Sequence, residues 1–359
     1  MEATGRTAGE VIDTLADRFG ERFGAIAAAG SVMVNDERVG RDTPVEEGDE
    51  LALLPPVSSG APESRGIGAP PERDRYRVVT IDFHVTAECK QECPYCWGPK
   101  GYERPVPTST ALAIVEHVKT QSARRIVFTG GDPLKRPDIG VLIRRAKDVG
   151  LEVALSTTGD EVGPGFLAEV GPCIDLVSLP IDGSTEEVSS RTKEPGHLAA
   201  VVRTLEWLRS HPRIDVKLCT PVTRHNLNDV PSILDLVDRY ARTTEARVFY
   251  NVFQAFPRSM EAVDWGSLLV SDEAFADLER DLGRRAGVSV HVLDRATLDR
   301  LYVMIFPDGS LVVPSGASYL TYGSFLEVED LDAVIAGTNF DAAKHLRHSR
   351  GWEKLEVPR

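Results

Sequence analysis

Basic residues are in deficit in this 359-residue sequence: 41 Lys and Arg stand against 55 Asp and Glu, a formal net charge of -14. That balance argues against broad binding to nucleic-acid backbones, which reward clustered cations, although a small polyanion could still be held locally. Long apolar runs are missing as well. None approaches the ~20 residues of a membrane span, and "MEATGRTAGE" at the start carries no signal-peptide core. Cysteine is scarce and odd in number, five in all. Three of the five, Cys89, Cys93 and Cys96, crowd into "AECKQECPYCWGPK". Such crowding fits a reduced compartment, where a cluster of thiols holds metal more often than it forms disulfides, so the cytoplasm is the expected location. Hydrophobic content of 42% and charged content of 27% are those of an ordinary globular protein, and the length suits two domains or one large domain with a small one.

Pro, Gly and Ser crowd residues 55 to 75 without hydrophobic periodicity, which reads as a semi-extended linker. Before it, an amphipathic helix with Val11, Leu15, Ala16 and Phe19 on one face precedes two short strands, "SVMVNDERV" and "DELALLPP". After it the rhythm becomes strand and helix in alternation. Six strands start near residues 77, 124, 151, 175, 215 and 247, and Leu198, Val201, Val202, Leu205 and Leu208 mark one helix face. That repetition implies a parallel sheet, partial barrel or doubly wound, with its site at the carboxyl ends of the strands. The organisation expected is a small domain over 1–60, a linker over 61–75, a β/α domain over 76–286 and a C-terminal cap over 287–359.

In "TIDFHVT" Ile81, Phe83 and Val85 share one face, which should meet the helices. Asp82 and His84 then point inward, where they could bind substrate or relay a proton, or be satisfied structurally. In "RVFYNVFQ" both faces mix characters, so the inward set, Asn251's or Tyr250's, stays open. Cys173 and Cys219 read as small buried apolar residues.

The cysteine triplet follows the first strand of the β/α series. Three thiolates spaced C-x3-C-x2-C can hold three irons of a cubane 4Fe-4S cluster and leave the fourth iron without a protein ligand; the alternatives are a zinc site completed by a distant histidine, or unrelated cysteines. This spacing at the mouth of a parallel barrel resembles the radical SAM superfamily. The resemblance implies that the vacant iron binds S-adenosylmethionine (SAM), and that an electron from the reduced cluster releases methionine and a 5′-deoxyadenosyl radical that abstracts a substrate hydrogen. It implies an incomplete parallel (β/α)6 barrel and a one-electron donor of the flavodoxin or ferredoxin type. "FTGGDPL" resembles the family's Gly-Gly-Glu-Pro loop with Asp132 for glutamate, so Gly130, Gly131 and Asp132 are expected to hold SAM. Valine at Gly131 should then weaken SAM binding and spare the cluster. By the same resemblance "LSTTG" offers Ser156 and Thr157, and "VSLPIDG" offers Ser178 or Asp182, the Pro-Ile insertion leaving the choice open. Arg191 stands where relatives place a partner for the methionine carboxylate, or makes a surface ion pair. Tyr95 stands where relatives pack against the adenine.

Two further resemblances frame the site. "YVMIFPDGSLVV" and the helical stretches after it are similar to the extension that follows the barrel in peptide maturases and molybdopterin-type enzymes, here without the cysteines that hold extra clusters there. A cluster-free cap is expected, similar to that of viperin-like nucleotide enzymes. "TAGEVIDTLADRFG", "VMVNDERV" and "TPVEEGDELALLPPVSSG" resemble the ubiquitin-like (β-grasp) sulfur carriers of the MoaD and ThiS type, without their first strand and with Ser58-Ser59-Gly60 in place of a terminal Gly-Gly. Because Gly60 is joined to Ala61, the domain is expected to dock, onto a protein that recognises such carriers for example, rather than to carry sulfur. A radical SAM enzyme acting on an unidentified substrate is the leading reading. A sulfur-delivery or scaffold protein with a non-catalytic cluster is the alternative.

Overall fold

The computed structural model describes residues 6–19, 31–35, 37–45, 49, 51–54, 78–102, 104–121, 123–283 and 288–350. The chain divides into two units, Met1–Glu72 and Arg73–Arg359. The linker expected at 55–75 and the Ser58-Ser59-Gly60 tail lie outside the described residues.

In the first unit helix α1 (Ala8–Phe19) buries Ala8, Val11 and Ile12, while Leu15 and Ala16, expected on the same face, are half-buried. The Phe19 side chain is outside the described set. Strands β1 (Ser31–Val34), β2 (Glu37–Val39) and β3 (Leu51–Leu54) pair antiparallel in the order β2-β1-β3. "SVMVNDERV" is therefore a hairpin and not one strand. Asn35, at a φ of 49°, takes the left-handed turn position that Asn tolerates, and its amide donates to Asp49 at 2.7 Å. Ala8 and Ile12 pack on Val32 and Val34.

In the second unit the six expected strands are β4 (Thr80–Thr86), β5 (Arg125–Gly130), β6 (Glu152–Ser156), β7 (Leu176–Pro180), β8 (Asp215–Val222) and β9 (Val248–Gln254). Helices α2 (Thr108–Thr120), α3 (Ile139–Asp148), α4 (Pro164–Val170), α5 (Glu186–Ser189), α6 (His197–Leu208) and α7 (Val230–Ala241) fall between them. After β9 come α8 (Trp265–Leu268), α9 (Asp272–Leu282), β10 (Ser289–Leu293), α10 (Arg295–Leu298), β11 (Met304–Ile305), β12 (Ser310–Ser315), β13 (Ser318–Ser324), α11 (Leu331–Ala336) and α12 (Ala342–Arg350).

All ten strands from β4 on form one sheet, in the order β10-β9-β8-β7-β6-β5-β4-β11-β12-β13. It is parallel from β10 to β11 and antiparallel through β12 and β13. It stays open, with β10 and β13 as its edges. The sheet thus runs past residue 286, where the cap was expected to begin, because β10 continues the parallel register beside β9.

Alternation decides the two faces. Ile81, Phe83, Val85, Phe128, Val153, Leu155, Val177, Leu179, Val216, Leu218, Tyr250 and Val252 join helix residues such as Ile114, Leu142, Val201 and Ile233 in the main core. Each such side chain stabilises by roughly 1.5–3 kcal/mol on burial, so a one-residue slip that exchanged faces is strongly disfavoured. The residues between them face inward. With Tyr250 and Val252 in the outer core, Phe249, Asn251 and Phe253 take the inner face of β9, a choice the sequence left open.

The C-terminal helix α12 closes onto the start of β4. His345 Nε2 accepts from the Val79 and Thr80 N–H groups at 2.9 and 3.2 Å, and its Nδ1 donates to the Leu301 carbonyl at 2.8 Å.

Candidate active site

A cavity of about 340 Å³ occupies the inner face of the sheet. Cys89, Cys93 and Cys96 line it, together with inward residues of β4 to β9 and, at the opposite end, His345, His348 and Ser349 of α12. The cysteines lie in the loop that leaves β4, at the carboxyl ends of the strands, as parallel topology requires.

The cysteine loop is anchored on three sides. Gln91, 4% exposed, donates to Asp160 at 2.6 Å and accepts from the Glu194 N–H at 2.9 Å. Toward β5, Gly131 N donates to Thr86 O at 2.8 Å and Asp132 N to Glu88 O at 2.7 Å. Each sulfur has an N–H donor: Gln91 N to Cys89 at 3.3 Å, Gly98 N to Cys96 at 3.2 Å, and Lys193 Nζ to Cys93 at 3.0 Å. Burial pushes the Cys89 thiol up to about 11 and raises that of Cys93. Among the described residues no three His, Cys, Asp or Glu side chains are placed to hold a single metal ion. Three thiols on one cavity wall, each receiving an N–H, fit a cluster that spreads its ligands more widely.

Of the residues expected to meet SAM, Tyr95, Gly131, Ser156, Thr157 and Ser178 line this cavity. Gly130, Asp132, Asp182 and Arg191 do not. Gly130, at a φ of 142°, is pressed against Thr86, whose carbonyl a side chain would overlap. Asp132 is 1% exposed and turned to the end of β6, where its carboxylate accepts from Thr157 Oγ1 at 2.8 Å, from Thr158 N at 3.3 Å, from Thr158 Oγ1, and from Leu134 N at 3.1 Å. It braces two loops instead of facing the cavity. Asp182, also 1% exposed, accepts from the Tyr95 hydroxyl and from Thr192 Oγ1 at 2.7 Å, and so fixes the Tyr95 ring. Arg191 is turned outward. Its guanidinium pairs with Glu187 at 3.0 Å, one helical turn away, and with the His225 carbonyl at 3.2 Å.

Lys193, two residues further on, does line the cavity. Its side chain is 5% exposed, lies 3.9 Å from Asp182 and sits 5.5 Å from the Tyr95 ring centroid. Deeper in, Asp82 (β4) and Lys217 (β8) both line the cavity, and burial pushes the Asp82 carboxyl up to about 7 against the pull of Lys217. Cys219 also lines it, with its sulfur 3.5 Å from Ser178 Oγ; it is a cavity residue and not the core residue expected. Cys173 packs against the main core. His84 is buried edge-on against Phe306, and among the described residues neither ring nitrogen has a hydrogen-bond partner. Asn251 is 1% exposed and adjoins Cys219 in register, and among the described residues neither of its amide atoms has a partner.

Comparison with known proteins bears on this arrangement. Residues 83–237 match the radical SAM superfamily and residues 1–60 match the ThiS family. A mycofactocin maturase MftC of Mycobacterium ulcerans (strain Agy99) is 30% identical over 169 residues, 46% of this chain and 46% of the relative. The chain thus spans about half the length of that maturase. An S-adenosylmethionine-dependent nucleotide dehydratase of Selenomonas ruminantium is 25% identical over 287 residues, 76% of this chain and 98% of the relative. Among solved structures, Streptococcus suis SuiB bound to S-adenosylmethionine superimposes with a TM-score of 0.57 at 12% identity, over 74% of this chain and 68% of that one. Native anSMEcpe with bound AdoMet gives 0.53 at 14%, over 72% and 81%. At such identities the two structures speak for the fold alone.

Proposed function

Because the chain carries a radical SAM domain joined to a ThiS-like region, we propose that it is an enzyme that cleaves SAM reductively and uses the product to take hydrogen from a small enclosed substrate. One observation carries this reading: Cys89, Cys93 and Cys96 share a single cavity with Gly131, Ser156, Thr157 and Ser178. When bound there, a reduced 4Fe-4S cluster supplies an electron to the sulfonium of SAM, releasing methionine and a 5′-deoxyadenosyl radical.

The chain's own residues hold, orient and enclose. The three cysteines would ligate three irons, and the N–H groups of Gln91 and Gly98 with the Lys193 ammonium would steady the thiolate charge. Gly131 and the hydroxyls of Ser156 and Ser178 face the place of SAM; the Thr157 hydroxyl is already given to Asp132. Lys193, not Arg191, offers a cation to the methionine carboxylate. The Tyr95 ring, with its hydroxyl tied to Asp182, offers an apolar face. Asp82 and Lys217 line the cavity and are set to meet the substrate; Asn251 faces the same side of the sheet without being among the lining residues. A buried amide with both atoms unmatched costs about 1–3 kcal/mol per group, which a bound partner would recover for Asn251. His345, His348 and Ser349 shut the far end and keep water from the radical.

The electron donor, of flavodoxin or ferredoxin type, the cytoplasmic setting and a protein partner for the ThiS-like region belong to the same proposal. Anaerobic reconstitution tests its first step. We expect about four irons and four sulfides per chain, lost when any one of the three cysteines is replaced by alanine and kept in Cys173→Ala and Cys219→Ala. A full complement of iron in Cys93→Ala would sink the assignment.

A further inference from the structure

Arg258, in the loop after β9, is among the described residues the largest side chain with no exposure at all. A charge taken fully out of water is costly unless its partners are in place. Its Nε donates to the Gly316 carbonyl in the β12–β13 turn at 2.8 Å, and its Nη2 to Asp299 Oδ1 at 3.0 Å. The same Asp299 oxygen accepts from the Gly316 N–H at 3.1 Å. The guanidinium carbon lies 4.5 Å from the ring centroid of Trp97 and 4.6 Å from that of Phe256, two rings that meet edge to face at 82°. Trp97 directly follows Cys96. Its indole N–H donates to the Phe256 carbonyl at 3.4 Å, and its own carbonyl accepts from the Tyr319 hydroxyl of β13 at 2.6 Å. The residue after the third cysteine is therefore held by its ring through Arg258 and by its backbone through β13.

Resting on the cluster assignment above, we propose that Arg258 is a positioning residue that couples the β12–β13 hairpin to the cluster loop. The hairpin seats fully when the loop has its cluster-bearing form, and the loop keeps that form when the hairpin is seated. Such coupling is reciprocal by thermodynamic necessity. Lysine cannot reproduce it, because the guanidinium lies against two rings while Nε and Nη2 reach two separate oxygens, and an ammonium offers no such fork. The loop that carries Cys96 thus draws part of its order from a segment more than 200 residues later in the chain, since Trp97 and Tyr319 are bonded across a separation of 222.

The test compares the full-length wild type with Arg258→Lys and Tyr319→Phe, by hydrogen exchange before and after reconstitution and by iron and sulfide content. Tyr319→Phe removes one hydroxyl and leaves the ring packed on Phe306, so it probes the coupling without a large packing loss. In the wild type, reconstitution should slow amide exchange across residues 310–324 at least tenfold. In both variants the slowing should fall below threefold, and Arg258→Lys should hold less than half the wild-type iron. Variants that bind as much iron and protect the hairpin as the wild type does would overturn the proposal. A wild type that loads its cluster with no change in hairpin exchange overturns the coupling alone, whereas one that takes up no iron removes the cluster assignment and the coupling with it.

Discussion

A single methyl group would be too much at position 131. A Cβ there overlaps the carbonyl oxygens of Glu88 and Ala87 in the cysteine loop, so glycine is demanded by the close approach of two backbones and not only by a ligand. This alters the outcome expected from the motif. Gly131→Val should push the cysteine loop away and lower iron content to less than half of wild type, together with SAM affinity, in iron assays and equilibrium dialysis. Full iron with weakened SAM binding would return the glycine to a ligand role. The motif located the loop but not which of its atoms face inward: Asp132 reads as a ligand by alignment to glutamate, yet two hydroxyls at the end of β6 claim its carboxylate. Lys217 and Cys219 were within reach of the sequence. They alternate with Val216 and Leu218 on β8, and the parity argument that turned Asp82 inward applies to them unchanged. Lys193 gave no such signal, because it lies in an irregular turn where no period governs direction.

At the scale of elements, the strands were legible because period two and short apolar runs are local properties, and all six expected strands begin within about three residues of their observed starts. The extra strand β10 was not, since its pairing depends on β9 about forty residues earlier, and the local turn at Asn35 was hidden inside what reads as one continuous strand. Nor was the role of α12, which reads as a polar helix yet buries His345. Burial lowers the His345 imidazole to about 4, and the neutral ring is the acceptor for two N–H groups at the start of β4. A folded-state value below the unfolded ~6.5 means that this stabilisation is complete above about pH 6.5 and is lost as pH falls toward 4. Once exchange is corrected for its intrinsic fall with pH, the protection of residues 342–349 should therefore decrease from pH 6.5 to 4 in the wild type. His345→Ala should show the low protection at every pH, with a stability loss of roughly 1–3 kcal/mol for the stranded N–H groups. Protection that stays constant between pH 6.5 and 4 in the wild type would remove His345 from this role.

At the scale of the whole molecule, the chain joins a ThiS-like region to a radical SAM domain, two units that the linker composition separates in sequence and that the structure divides at Glu72. Nothing in the pattern of strands named a substrate, because the inner face of the sheet is assembled from a few residues of each of several strands and its chemistry exists only after folding. The central claim is that the cavity shared by three cysteines and the Gly131 loop performs reductive cleavage of SAM. It is tested most directly by incubating the reconstituted, dithionite-reduced protein with SAM under anaerobic conditions and measuring 5′-deoxyadenosine by liquid chromatography and mass spectrometry. 5′-Deoxyadenosine and methionine should form in equal amounts, and neither should form with Cys96→Ala. A wild-type protein that carries about four irons, binds SAM and releases no 5′-deoxyadenosine would contradict it and leave the cluster as a scaffold.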